Sequence, residues 1–369
     1  MIYLFNSGYR ALYRTNVLNT LFLPNGSTNE YRYRASGTPR YIAPDAYQSL
    51  KEAGRGEKAV IVFIDRFGAG GYVYHPLRLG ELVITREENE QLFFRIKLQD
   101  FIYPRDLGEF NRQIAVSLIP RGLPRLASAN PESTADGYYA IPANSIFEQK
   151  EGFHSGQAAW LQAVESLYKT KAFASTATDQ VVFVRGELKN KSAVTLAPSL
   201  QNDSAVYDIL KNSNYELVLT YRYPLQLSDQ TKTAELELEL GENIRPLGSK
   251  TISIDSHANS EGFFFATKKF LEDDESSISF NFSAPGATLL GPDRSLRFRI
   301  KDSRMFWFQI ALTLVLVSVL SIFMGIDVSK LKPLTLGNFF SQYWTKVVGG
   351  IAQAFVLFWM FRLIGKKVL

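Results

Sequence analysis

Aromatic and basic residues alternate at Tyr31-Arg32-Tyr33-Arg34 and meet again at Arg40-Tyr41. On an extended strand, the two-residue period sends the tyrosines to one face and the guanidiniums to the other. Guanidiniums in a row are the donor set that grips phosphate or carboxylate oxygens two at a time. Arg32, Arg34 and Arg40 are therefore the first candidates for an anion site, and Arg121 and Arg125 on a later loop could supplement it. A half-buried edge strand with solvated arginines gives the same pattern, so the structure has to decide between them.

Other chemistry is poorly supplied. The chain has no cysteine, which excludes disulfides and thiolate nucleophiles, and its three histidines, at 75, 154 and 257, offer little for a metal cluster. Gly68-Ala69-Gly70-Gly71 is followed by Tyr-Val-Tyr-His-Pro, a strand pattern rather than the helix whose amino terminus would hold a phosphate, and reads as a hairpin connection. In Gly152-Phe153-His154-Ser155-Gly156 the serine is misplaced for a nucleophile elbow. The acidic run Glu272 to Glu275 lacks the spaced oxygen ligands of a calcium loop. No Walker A pattern is present, so the expectation is a protein that is not an enzyme, with no cofactor and no metal. Any two of the 36 acidic residues could still meet in space, which keeps carboxylate chemistry open.

The elements that must position the arginines read as mainly β with some α. Ile2 to Phe5 is a short apolar strand; Tyr9, Leu12, Tyr13, Val17, Leu18, Leu21 and Phe22 then recur at helical spacing. Ala59 to Ile64 is a continuous apolar run, as for a strand covered on both faces. Tyr72 to Leu79, Glu81 to Arg86 and Gln91 to Leu98 follow as a meander or small barrel. Ile119 to Gly137 is a long loop, and Ser155 to Lys171 a helix with Trp160, Ala163, Val164, Leu167 and Tyr168 on one stripe and Glu165 paired with Lys169. Residues 1–172 thus form a mixed α/β unit. Residues 173–301 form a second unit of short alternating strands, with Ala193 to Ala197 among them, which reads as an antiparallel immunoglobulin-like β-sandwich. In it, Glu235 to Leu240 has a strict period of two, leucines inward and glutamates outward.

Two apolar stretches end the chain. Residues 305–326 are uncharged and, at about 1.5 Å per residue, reach about 33 Å, enough for the hydrocarbon core of a bilayer. Residues 347–364 form a second stretch whose Arg362 lies near its end and can snorkel. Together they read as a C-terminal two-helix transmembrane hairpin. Net charge is +3 over residues 1–172, −7 over 173–293 and +9 over 294–369, so the basic excess sits beside the membrane. Arg297, Arg299, Lys301 and Arg304 precede the first stretch and Arg362, Lys366 and Lys367 close the second, which puts both termini in the cytoplasm of a multi-pass inner-membrane protein. Within the stretches, Gln309 and Thr313 share a side that calls for a polar partner; Ser318, Ser321, Gly350 and Ala354 permit close helix approach. Two helices cannot enclose a pore, so conduction requires a homo-oligomer.

This layout, a β-rich soluble region, the basic segment Arg294 to Arg304 and a terminal hairpin, resembles the two-helix membrane effectors of bacterial antiphage defence, including the Hailong-type effector. The resemblance implies a channel-like oligomer controlled by a nucleotide or oligonucleotide that a partner enzyme makes, and defence by membrane depolarisation. It rests on layout and transfers no site residue. The alternative is a membrane-tethered scaffold or assembly subunit that binds a protein partner, with the hairpin as an anchor.

Overall fold

Residues Val60 to Ile64 are apolar on both alternations, and burial on both sides is what such a run demands. The computed structural model bears this out, with those five residues 0–5 % exposed at the centre of a sheet. It describes residues 2–7, 11–34, 52, 56–67, 71–118, 140–142, 152–174, 179–201, 204–223, 234–254, 259–268 and 275–302; the apolar stretches at 305–326 and 347–364 lie outside these. Among the described residues no helix is long and apolar enough to cross a membrane. The fold is mainly β with few helices.

The first sheet takes β1 (Ile2–Ser7), β2 (Thr28–Arg34), β3 (Lys58–Phe67), β4 (Gly71–Glu88), β5 (Gln91–Pro104), β6 (Ala140–Pro142) and β7 (Phe153–Ser155). Its order is β2-β5-β4-β3-β1-β6, with β7 paired to β5. Strands β3, β4 and β5 are the expected meander, and β1 runs parallel to β3. Phe67 lies opposite Gly71, as a hairpin at that glycine-rich stretch requires, while positions 68–70 lie outside the described residues. The two strands expected at Tyr72–Leu79 and Glu81–Arg86 are one, β4, of 18 residues. Gly80 does not break it: a register shift absorbs the bend there, and a Cβ on Gly80 would collide with the Ile96 side chain across the pair.

Helices α1 (Ala11–Phe22) and α3 (Gly156–Leu167) fall where the helical spacing places them, and α2 (Leu107–Leu118) is an addition. Asp106 accepts from the Glu109 amide at 3.0 Å, a cap at the start of α2, and Phe110 and Ile114 are buried. On α3 Trp160, Ala163, Val164 and Leu167 of the expected stripe are buried, joined by Ala159, while Tyr168 caps the helix end and is half-buried. Glu165 does not serve an i,i+4 pair with Lys169; it meets Arg222 at 2.7 Å, a tertiary partner with its guanidinium largely covered.

Residues beyond 178 form β8 (Asp179–Val181), β9 (Phe183–Asn190), β10 (Ser199–Gln201), β11 (Ser204–Leu210), β12 (Asn214–Arg222), β13 (Ala234–Leu240), β14 (Ile244–Pro246), β15 (Thr251–Ile254), β16 (Asn259–Thr267), β17 (Glu275–Ser283), β18 (Thr288–Leu290) and β19 (Leu296–Lys301). One sheet has the order β10-β11-β19-β17-β13-β15 and another β14-β16-β12-β9. They face each other: Phe265 of β16 lies 5.8 Å from Phe298 of β19, ring centre to ring centre. Alternation on β13 is as read, with Ala234, Leu236 and Leu238 buried and the glutamates exposed. Two expectations need correcting. The arrangement is not wholly antiparallel, because β11 pairs with β19, and β8 with β18, in parallel. Ala193–Ala197 is not a strand: it follows a turn at Lys191-Ser192, with Ala193 at φ +58°, and makes a single bridge, from Thr195 to Lys189.

Helix α1 joins the two halves. Phe22 packs edge-on against Phe280 of β17, centroids 4.8 Å apart, and one hydrophobic core runs from Val60 and Ile61 through Leu217 to Phe298. Trp160, fully buried, donates its indole N–H to the Leu21 carbonyl at 3.1 Å, in the last turn of α1 where carbonyls lack helical partners. Trp160→Phe keeps most of the packing but orphans that carbonyl. It is expected to cost about 1–2 kcal/mol, against about 3–5 kcal/mol for Trp160→Ala, in denaturant unfolding.

Candidate functional site

Glu30 and Arg95 face each other across the antiparallel pair β2–β5, and their side chains meet at 3.2 Å. Beside them the chain approaching β19 comes down against the start of β2. That approach is fixed by a reciprocal pair of bonds: Asn19 of α1 donates its side-chain amide to Asp293 at 2.6 Å and accepts the Asp293 backbone N–H at 3.0 Å. The next residue is Arg294, and two further on β19 begins.

Between these elements lies a cleft of about 290 Å³. Its first wall is Leu23, Ser27, Thr28, Glu30 and Arg95; its second is Ala205 and Tyr207 of β11 with Arg294, Ser295, Leu296 and Arg297. The cleft therefore belongs to neither half alone. Its charge is three guanidiniums against one carboxylate. Arg95 is committed to Glu30, whose other oxygen also lies 4.0 Å from Arg86. Among the described residues Arg294 and Arg297, both exposed, have no ion-pair partner. At the back of the cleft Tyr207 is 2 % exposed, its ring stacked on Phe298 at 5.8 Å, and its hydroxyl is buried without a hydrogen-bond partner. Burial pushes that hydroxyl above the ordinary tyrosine range, so it is a neutral donor at every physiological pH.

The structure separates the residues singled out from the sequence. Arg32 and Arg34 lie on β2, opposite Phe93 and Gln91 and two and four residues beyond Glu30; Arg40, Arg121 and Arg125 lie outside the described residues. Tyr31 is a core residue whose hydroxyl shares a network with Thr20, 2.6 Å away, and Asn29, 3.2 Å away, and burial pushes it up to about 12. Of the bases read as lying at the membrane, Arg297 lines the cleft, while Arg299 and Lys301 are tied to Asp208 of β11 at 2.6 and 2.7 Å. Those bonds hold the Asp208 carboxyl below its ordinary range despite burial, which pulls the other way. Arg304, Arg362, Lys366, Lys367, Gln309, Thr313, Ser318, Ser321, Gly350 and Ala354 lie outside the described residues.

Two buried polar centres carry no sequence motif. Arg78, fully buried on β4, donates to the carbonyls of Gln99 (2.6 Å), Thr20 (2.7 Å) and Leu23 and to the Asn25 side-chain oxygen (2.6 Å), and lies 4.2 Å from the centre of the Phe101 ring. It caps the C-terminal carbonyls of α1, which is where a cation is favoured. Burial, with the like charge of Arg185 5.3 Å from the centre of the same Phe101 ring, pulls it down to about 9, still protonated at neutral pH. His75, next to Pro76, places Nδ1 3.1 Å from the Ser166 hydroxyl and 3.4 Å from that of Tyr103, while Nε2 is buried and unpartnered. Burial lowers it to about 4, too low for a general base at neutral pH, and no carboxylate orients it among the described residues. A lone charge inside the apolar stretch Leu77-Arg78-Leu79 was the one sequence signal for the first of these centres.

Compared with known protein families and with characterised proteins, the chain matches none.

Proposed function

We propose that the chain is a membrane-anchored, ligand-controlled effector that oligomerises and permeabilises the inner membrane, in the manner of the antiphage effectors its layout resembles. In this reading the soluble part is a mixed α/β unit joined to an immunoglobulin-like sandwich, and residues 305–326 and 347–364 are the transmembrane hairpin. One observation carries it: the strand that walls the cationic cleft with Leu296 and Arg297 ends at Lys301, and only Asp302, Ser303 and Arg304 separate it from Met305. Three residues span at most about 10 Å, too short to decouple a sheet from the helix it feeds. A ligand that moves the two walls of the cleft relative to each other therefore acts on the first membrane helix. An anchored scaffold has no need of a binding cleft at the root of its anchor.

Expression in cells loaded with a potential-sensitive dye tests the reading. The wild type is expected to depolarise the inner membrane once its ligand state permits, and Gln309→Leu to reduce depolarisation at least tenfold by removing the polar group that a pore or a neighbouring subunit would use. Full membrane potential in every ligand state, and no effect of Gln309→Leu, would sink the effector in favour of the scaffold.

A further inference from the structure

We propose that the cleft between β2–β5 and β11–β19 is a binding site for a phosphomonoester. The inference names the ligand class of the effector proposed above and rests on that reading for its consequence, not for the binding itself.

Charge sets the class. Three guanidiniums against the Glu30 carboxylate leave two positive charges on the lining, and Arg294 and Arg297, which have no ion pair among the described residues, account for them. A phosphomonoester carries about −1.5 to −2 at pH 7 with three acceptor oxygens, whereas a phosphodiester carries a single charge. The hydroxyls of Ser27, Thr28 and Ser295 add neutral donors to the same lining.

Size and surface narrow it. A cleft of about 290 Å³ stands at the small end of ligand sites, which run from roughly 300 to 1,000 Å³. It suits a mononucleotide-sized molecule or a single headgroup. An extended oligonucleotide is held by aromatic faces on which successive bases stack, and the one aromatic residue of this lining, Tyr207, is 2 % exposed. Glu30 already occupies Arg95, so the carboxylate acts as a built-in competitor that a monoanion has little electrostatic advantage over.

The test is titration of the full-length protein in detergent with adenosine 5′-monophosphate, inorganic phosphate, adenosine 3′,5′-cyclic monophosphate and adenosine. The two dianions are expected to bind saturably, the cyclic diester at least tenfold more weakly and adenosine not at all. Affinity should fall as the pH drops below about 6, where the phosphate takes up a proton. Arg294→Gln and Arg297→Gln should each weaken binding about tenfold or more, and Glu30→Gln should tighten it. Dihexanoyl phosphatidate beside dihexanoyl phosphatidylcholine separates the sources: stronger binding of phosphatidate than of the nucleotide assigns the site to a lipid headgroup, and the reverse to a soluble metabolite. Equal binding of monoester and cyclic diester, absence of saturable binding by adenosine 5′-monophosphate, phosphatidate and inorganic phosphate alike, or undiminished binding in the Arg294→Gln/Arg297→Gln protein with an unchanged circular dichroism spectrum would overturn the site. Because binding is read without a membrane potential, its loss leaves the effector proposal standing, and its presence survives a failed depolarisation experiment.

Discussion

Arg78→Met is expected to destabilise the fold by about 4 kcal/mol, as much as truncating the buried Trp160 to alanine, with a midpoint of chemical unfolding lowered accordingly. Methionine fills most of the volume and removes a charge whose burial is costly, so a simple transfer argument would make the change mild. The oxygens decide otherwise. Three carbonyls and one side-chain amide oxygen, from Thr20, Leu23, Gln99 and Asn25, lose their donor at once, and the first two face a guanidinium with no exposure. Each orphaned acceptor costs about 1–3 kcal/mol before relaxation. Arg78→Lys retains the charge but reaches fewer of the four oxygens, and an intermediate loss is expected. Equal midpoints for wild type and Arg78→Met would show that water or a rearranged turn at Pro24–Gly26 serves those groups instead.

The second large effect depends on pH. In the unfolded chain His75 titrates near 6.5; in the fold, burial lowers it to about 4. The unfolded state therefore binds the proton first, and stability falls as the pH drops from about 6.5 to 4, is flat above that window and levels below it. The full swing is on the order of 3 kcal/mol. Glutamates and aspartates titrate at the lower end of the same range, so the diagnostic is the difference between wild type and His75→Gln. That difference is expected to grow in favour of the variant as the medium is acidified, read by circular dichroism during thermal unfolding. A difference independent of pH between 7 and 4.5 would place His75 in contact with water.

Elements with one dominant periodicity were legible in the sequence. The both-sides apolar β3, the glutamate–leucine alternation of β13 and the stripe of α3 each satisfy a single burial geometry, and local pattern suffices for that. Helix α2 was missed although Asp106 and Glu109 mark its start and Leu107, Phe110 and Ile114 its buried side; one short helix between a long strand and a loop gives few turns to recognise. Parallel pairing of β11 with β19 was beyond reach, because a strand alternates identically whichever way its neighbour runs. The cleft was illegible for the same reason. The walls come from two distant stretches, and the core shared through Phe22 and the Asn19–Asp293 bonds brings Arg95 to Arg294 and Arg297. Arg297 lies in a basic run along the chain, and counting charge along the chain rather than across the sheet does not show that it lines the cleft.

Strand β19 is hydrogen-bonded along both edges, to β11 on one side and β17 on the other. A tug on Met305 along the strand axis would load these two ladders in shear, so that all their bonds resist together instead of opening one after another from an end. Asp208, which grips both Arg299 and Lys301, rivets the last turn of the ladder at the point where the load enters. Force entering at the end of β19 is thus returned to both ladders rather than dissipated in an unzipping edge, and the strand behaves as a stiff lever.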